Sequence, residues 1–403
     1  MRRIARKYVD FLRRPHVRRL LLVAFFSRMP IGMVGFAMLM FLREALGNFA
    51  LAGLAVGINF VSMAVAAPIQ GRIIDRHGPE RLLRVTAVVT TLALCGVAGA
   101  AHARMPFVVI AALAALAGVF ANPITTLTRT IWRHLFDGED DRRTAFALDA
   151  VVIELNFTLG PAIVAFMLAL FGATAAFGLT IFVVAAAAVT FMASGALELF
   201  KRVAATERHL LGPLTEPRLL IVFLAMFGIT IGFGILEVGY PAFATFLGMG
   251  AMAGVLLAIN SLGSATGGAL YGGLHLKAPI ERQFAVCMLL MSVPFGLHAV
   301  LLDPIAFGVL AFLSGALIAP TLTGHAVLVS RLAPPKYATE AFTWSSTFIV
   351  SGLGTGMAVG GALAEHAGLP VMFISAATLI FAMGLGVWFW LSPAPAAREQ
   401  AAD

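Results

Sequence analysis

Two charged residues inside apolar segments are the first places in this chain where chemistry could occur. Arg28 lies in the stretch FFSRMPIG, residues 25–32, and Glu154 lies in an apolar run near 147–171. A charge inside a bilayer is costly and normally faces a partner or a water-filled cavity. Counted from the expected helix starts, the two residues lie at similar depth. We therefore expect Glu154 to pair with Arg28, as a permanent ion pair or as a proton carrier, or both to face one cavity.

Other polar residues in apolar segments are candidates for the wall of such a cavity. They are Asn122, Asn156 and His325, with a hydrogen bond between helices as the alternative for each. For His325 we favour a neutral histidine between helices over a proton site. Asn59 and Asn260 occupy equivalent places in two similar segments, which favours helix packing by hydrogen bonds. Glu237 falls far along its helix, so we expect a rim or gate residue near the outer surface.

The composition predicts a membrane protein. Of 403 residues, 60% are hydrophobic and only 12% are charged, and the mean hydropathy is +0.94. A soluble domain carries about 25% charged residues. The net charge of +8 does not indicate nucleic-acid binding, because the basic residues fall between the apolar segments. Cys95 and Cys287 both lie inside apolar segments, so we expect buried thiols and no disulfide framework.

Apolar windows separated by charged or Pro/Gly turns predict twelve membrane-spanning helices. They lie near 20–42, 48–70, 82–102, 106–128, 147–171, 173–196, 219–240, 250–273, 283–302, 305–328, 338–364 and 369–391. If the N-terminus is cytoplasmic, 25 of the 28 Lys and Arg residues fall on the inner side. This bias predicts cytoplasmic termini in a bacterial inner membrane. The basic segment 1–19 is either an amphipathic helix on lipid headgroups or a tail that only sets topology.

The two halves of the chain repeat each other. AGLAVGIN, residues 52–59, matches AGVLLAIN, residues 253–260, and GVFANPITT, residues 118–126, matches GALIAPTLT, residues 315–323. Matches in the same order at a nearly constant offset indicate a duplicated unit. We therefore expect an all-α integral membrane protein with two six-helix halves. Its segments are 1–19, a first half 20–196, a cytoplasmic linker 197–217, a second half 218–391 and a cytoplasmic tail 392–403.

The segment between the second and third predicted helices carries a family resemblance. GRIIDRHGPER, residues 71–81, resembles the signature G-x-x-x-D-R-x-G of the major facilitator superfamily, although it departs from the common form at Pro79 and Glu80. The resemblance implies two halves related by a pseudo-two-fold axis along the membrane normal, with substrate bound between them. It also implies a cytoplasmic gate with Asp75 as acceptor. Gly71 and Gly78 would allow close approach and a tight turn. The other expected gate residues are Arg76, Arg81, Arg129 and Asp149.

The resemblance implies a secondary transporter that works by alternating access. We expect proton-coupled export of a small amphipathic compound. The alternatives are proton-coupled symport of a small organic anion held by Arg28, and a binding or sensor protein that transports nothing. The sequence has no phosphate-loop motif, metal-ligand spacing or nucleophile–base pattern, so we expect no cofactor and no enzyme. The expected partners are a small-molecule substrate, protons and lipids, without nucleic acid, and the expected state is a monomer.

Overall fold

The computed structural model describes residues 11–136, 139–200, 212–250, 252–274, 276–334 and 338–391. Regular structure in these ranges is entirely helical, as the sequence predicted. The helices are α1 Pro15–Arg28, α2 Pro30–Leu46, α3 Phe49–His77, α4 Pro79–His102, α5 Phe107–Val119, α6 Ile124–Leu135, α7 Glu139–Ala193, α8 Pro217–Phe246, α9 Met252–Gly273, α10 Ile280–Leu297, α11 Pro304–Ala316, α12 Ile318–Leu332, α13 Ala338–His366 and α14 Gly368–Trp390. Two short 3-10 turns, Ala196–Leu199 and Gly212–Thr215, complete the described elements.

Eleven helical segments in the described ranges are long and apolar enough to cross a membrane. One of them, Val151–Ala193, has 43 residues, about twice the roughly 20 residues that one crossing needs. The helix α7 breaks inside this segment at Gly172, where φ is 81° and ψ is 174°. That conformation is essentially restricted to glycine. The chain is a multi-pass membrane protein.

Two of the spanning segments are interrupted near one another in the fold. The first changes from α1 to α2 between Arg28 and Pro30, because proline cannot donate the backbone hydrogen bond that would continue the helix. The fourth predicted span is divided into α5 and α6 by residues 120–123, which end in Pro123. Interrupted backbone at membrane depth is tolerated where it is buried in protein or lines a cavity.

The helices form two groups, which we call the first group (α1–α7) and the second group (α8–α14). Most helix contacts lie within a group, and the two groups meet mainly where α3 packs on α13 and α7 packs on α9. The α3–α13 contact is close because glycines face backbone. A Cβ atom placed on Gly53 or Gly57 would lie 2.5 Å from the carbonyl oxygen of Met357 or Gly354, respectively.

The two groups are not in contact along the whole length of α3. At its beginning, the Phe49 backbone N–H donates a hydrogen bond to Glu365 Oε2 of α13 at 2.9 Å. Gly71 lies fourteen residues beyond Gly57 and within about 40° of the same helix face. A Cβ atom on Gly71 would nevertheless have no neighbour within 4 Å. The groups are therefore in contact at the Phe49 end of α3, and this contact is absent at Gly71, near its other end.

Equivalent asparagines make equivalent contacts in the two groups. Asn59 Nδ2 donates to the carbonyl oxygen of Ala114 at 2.9 Å, and Asn260 Nδ2 donates to that of Ala311 at 3.0 Å. The expectation that these asparagines join helices by hydrogen bonds is confirmed. The expectation for the two cysteines is half correct, because Cys287 is buried whereas Cys95 is exposed, and both are free thiols.

Candidate functional site

Arg28 is buried at the point where α1 ends. Only 1% of the residue is exposed. Its Nη1 donates to Asp149 Oδ1 at 2.8 Å, and its Nη2 donates to the backbone oxygen of Thr125 at 3.3 Å. A cation at a helix C-terminus is also favoured by the partial negative charge of the last carbonyl groups. The guanidinium is thus held by one carboxylate and by one backbone oxygen.

Asp149 connects three side chains in this part of the first group. Besides Arg28, its Oδ1 accepts a hydrogen bond from Trp132 Nε1 at 3.0 Å. Its Oδ2 lies 3.6 Å from Arg129 Nε, and the Arg129 side chain is 50% exposed. A buried carboxylate that accepts several charge-assisted hydrogen bonds is held in one position. The predicted contact between Asp149 and Arg129 is present, and its role in a gate stays a prediction.

The predicted pairing of Arg28 with Glu154 needs correction. The carboxylate that pairs with Arg28 belongs to Asp149, and the side chain of Glu154 lies outside those that the structure describes. The reason is the face of the helix rather than the depth. Position 154 lies five residues beyond Asp149 in α7, about 140° around the helix, and the face towards Arg28 carries Asp149.

A cavity of about 130 Å³ lies beside the ion pair, inside the first group. The two helix interruptions border it, one through Ser27, Arg28 and Pro30 and the other through Ala121, Asn122 and Ile124. Asn59 and Thr90 supply further polar wall. The expectation that Arg28 and Asn122 share a cavity wall agrees with this arrangement.

Three polar atoms of this wall have no hydrogen-bond partner in the described structure. They are Ser27 Oγ, Arg28 Nε and Asn122 Oδ1. Buried water bonds to such atoms where a cavity has room for it. Most of this wall is apolar, so water in the cavity would bond at its few polar residues.

The remaining predicted cavity residues lie apart from this wall. Asn156 is fully buried, and its two amide atoms have no partner among the described residues. Its backbone oxygen lies against Gly32 of α2, where a Cβ atom would overlap it. His325, in the second group, has Nε2 at 2.7 Å from Ser345 Oγ of α13. This contact agrees with the favoured interpretation of a histidine between helices, and the predicted cavity residues do not form one cluster.

The predicted gate segment is a sharp corner between two helices. The helix α3 continues to His77, and α4 begins at Pro79, so Gly78 alone joins them with φ 84°. The expected tight turn at Gly78 is confirmed, whereas the expected close approach at Gly71 is absent in this structure. Arg76 and Arg81 are exposed. The side chain of Asp75 lies outside the described ones, so its role as acceptor stays a prediction.

In the second group, one residue lies elsewhere than predicted, and one hydrogen-bond network was not predicted. Glu237 is not at the outer rim, because α8 continues for nine residues beyond it. Tyr240, one turn further on, lies within hydrogen-bond distance of Ser314 at 3.3 Å and of Asn260 at 3.4 Å. The offset between Asn59 and Asn260 was a signal for this network, but nothing in the sequence pointed to Tyr240. Among the described residues, no group of His, Cys, Asp or Glu could hold a metal ion.

Comparison with known proteins agrees with this architecture. Residues 20–307 match the family model of the Major Facilitator Superfamily. The chain therefore belongs to this superfamily of transporters. The Multi-drug resistance efflux pump PmrA of Streptococcus pneumoniae serotype 4 is 25% identical over 333 residues, which cover 80% of this chain and 81% of that protein.

Solved structures share the fold at lower sequence identity. The nucleoside transporter NupG has a TM-score of 0.73 and 13% identity, with 93% of this chain and 100% of that chain covered. The POT family transporter PepTSo has a TM-score of 0.70 and 10% identity, with 95% and 98% covered. The human organic anion transporter MFSD10 has a TM-score of 0.64 and 16% identity, with 93% and 100% covered. At these identities the likeness concerns the fold alone.

Proposed function

We propose that this protein is a secondary active transporter that exports a small amphipathic compound in exchange for protons. The observation that carries the proposal is the one-ended contact between the helix groups. They touch where Phe49 bonds Glu365 and are apart beside Gly71. Alternating access requires two such groups that can rock about a site between them. The direction of transport rests on the likeness to an efflux pump over most of the chain.

In this proposal the chain crosses the membrane twelve times, as two related halves. The 43-residue segment is counted as two spans that meet at Gly172. With the other ten segments, this gives twelve spans. The matched hydrogen bonds of Asn59 and Asn260 support the internal repeat. The protein lies in the inner membrane of the cell. Both termini are cytoplasmic, because the basic residues then fall on the inner side. The protein works as a monomer.

Proton coupling is assigned to the ion pair of Arg28 and Asp149. A buried ion pair that can be broken by protonation of its carboxylate has two states of different charge. The cavity next to Arg28 has room for water beside the guanidinium when the carboxylate is protonated. Glu154 remains a second candidate carrier on the same helix.

The alternative of anion symport through Arg28 receives less support. Its side chain is fully buried and is already neutralised by Asp149. An organic anion would have to displace that carboxylate inside the first group, away from the space between the groups. A sensor without transport activity has no particular observation in its favour.

The test is proton movement in proteoliposomes that contain a pH-sensitive dye. The purified protein is reconstituted and exposed to a panel of amphipathic cations, neutral amphiphiles and organic anions. In the wild type we expect protons to move in the direction opposite to an exported amphiphile. In the variant Asp149→Asn we expect no proton movement. Protons that accompany an anion would replace export by symport. Flux without any proton movement would remove proton coupling from the proposal.

A further inference from the structure

Glu237 is a carboxylate without a partner in the middle part of the chain's most deeply buried span. In an apolar stretch of 18 residues within α8, 67% is buried inside the protein. Around Glu237 the positions 234–236 and 238–244 are all buried, and only Glu237 is half-buried. Within the described chain its carboxylate makes no hydrogen bond or ion pair. It lies nine residues, or about 13 Å, from the end of α8.

The neighbours of α8 define where this carboxylate points. Gly239 packs on the ring of Phe373 in α14, and Gly234 packs on the backbone of α13 at Leu353. Tyr240 faces α9 and α11 through Asn260 and Ser314. With about 100° of rotation per residue, Glu237 lies about 160° around the helix from Gly239. It therefore faces away from α14, between α13 and α9.

That direction leads to the space between the two groups. The helices α13 and α9 are the ones through which the second group meets the first, and α8 itself touches α2 and α3 of the first group. A side chain between α13 and α9 faces the region enclosed by those two contacts. Apolar residues lie on the α13 side of this direction, since Gly234 of α8 lies against the backbone of Met357.

We propose that Glu237 binds the cationic group of the substrate, so that the transported compounds are amphipathic cations. An unpaired carboxylate at membrane depth is expensive and requires a proton or a cation beside it. A substrate with a positive group on an apolar body would neutralise the carboxylate and cover the apolar wall. This inference rests on the proposed function and adds the charge of the substrate to it. Asp149 is separate, because it is buried in the first group against Arg28.

The experiment measures the binding and export of a cation and of a neutral amphiphile by the same protein. Tetraphenylphosphonium is the cationic probe, and a neutral aromatic dye that the wild type also exports is the second one. Binding is measured in detergent and export in proteoliposomes. The variants are Glu237→Gln, Glu237→Asp and, as a matched control, Glu44→Gln, which removes an exposed carboxylate from α2. All four proteins are first compared by size-exclusion chromatography and thermal unfolding.

We expect Glu237→Gln to bind tetraphenylphosphonium at least about tenfold more weakly, equivalent to about 1.4 kcal/mol, and to export the neutral dye normally. Glu237→Asp retains part of the cation binding, and Glu44→Gln retains all of it. Unchanged cation binding by Glu237→Gln would overturn the inference. An equal loss of export for both probes would also overturn it, since Glu237 would then carry protons or hold structure. A wild type that exports neither tetraphenylphosphonium nor any neutral dye tested would remove the proposed function and this inference together.

Discussion

A guanidinium inside a membrane protein is tolerated only with several compensating contacts, and Arg28 has three kinds. It has the Asp149 carboxylate, the backbone oxygen of Thr125 and the last carbonyl groups of α1. Its Nε is the one guanidinium nitrogen without a hydrogen-bond partner, and the residue borders the cavity in the first group. Loss of the carboxylate would therefore leave a buried charge with water and dipoles alone.

The substitution Asp149→Asn should destabilise the protein by about 3–5 kcal/mol, because breaking one partner of a buried ion pair leaves an uncompensated charge. Thermal unfolding in detergent measures this loss. The double variant Arg28→Met with Asp149→Leu should recover most of the stability, since apolar replacement of a buried pair is often neutral. Proton movement should stay absent in the double variant. A double variant that still moves protons would show that the pair is only structural.

The sequence could predict that Arg28 needs a carboxylate, but it could not select the right one. Hydropathy gives the approximate depth of a residue in a span, and Asp149 and Glu154 are only five residues apart in α7. Which face of α7 packs against Arg28 is set by the packing of the helices, and that face carries Asp149. The contacts of Trp132 and Thr125 with this ion pair were not predicted either. A hydrogen bond to a backbone oxygen or from an indole N–H does not require a particular residue spacing in the sequence.

At the scale of helices, the contact of α3 with α13 depends on the absence of side chains at specific glycines. The pair Gly57 and Gly71 tests this dependence, since both lie on nearly one face of α3 and only Gly57 meets backbone. The sequence showed the abundance of glycine, 40 residues in all, but not which of them touch another helix. Only the packed structure separates Gly57 from Gly71.

The substitution Gly57→Leu should shift the protein away from the conformation that is closed at Phe49. An overpacked contact costs about 1–3 kcal/mol, so the population of the closed end should fall about tenfold. The measurement is the rate at which a membrane-impermeant maleimide labels Phe49→Cys, with Cys95 and Cys287 replaced by alanine. Gly71→Leu is the matched control and should leave labelling unchanged. Equal labelling in both variants would mean that the glycine contact does not keep this end closed.

For the whole molecule, the all-helical structure and the membrane-spanning segments were the most predictable features. Hydropathy fixes membrane helices because every backbone group in lipid must bond within its own segment. The arrangement of the two groups was expected from the family resemblance, but the particular end that is closed was not. That choice depends on a balance between contacts at α3 and α13, such as the bond from Phe49 to Glu365, and a repeat in sequence favours neither end.

The open end beside Gly71 should close when the transporter changes state, and the end at Phe49 should then open. Two pairs of spin labels follow this exchange in a background without native cysteines. Arg76→Cys and Arg331→Cys lie in the last turns of α3 and α12, at the open end. Met105→Cys and Leu301→Cys are exposed after α4 and α10, at the closed end.

A bound substrate can shift the equilibrium only by its difference in affinity for the two states. We expect substrate or a pH step to shorten the first distance and lengthen the second in the same population. Distances that change together in one direction, or at one end alone, would exclude rocking of two rigid groups and leave local opening of single helices as the motion.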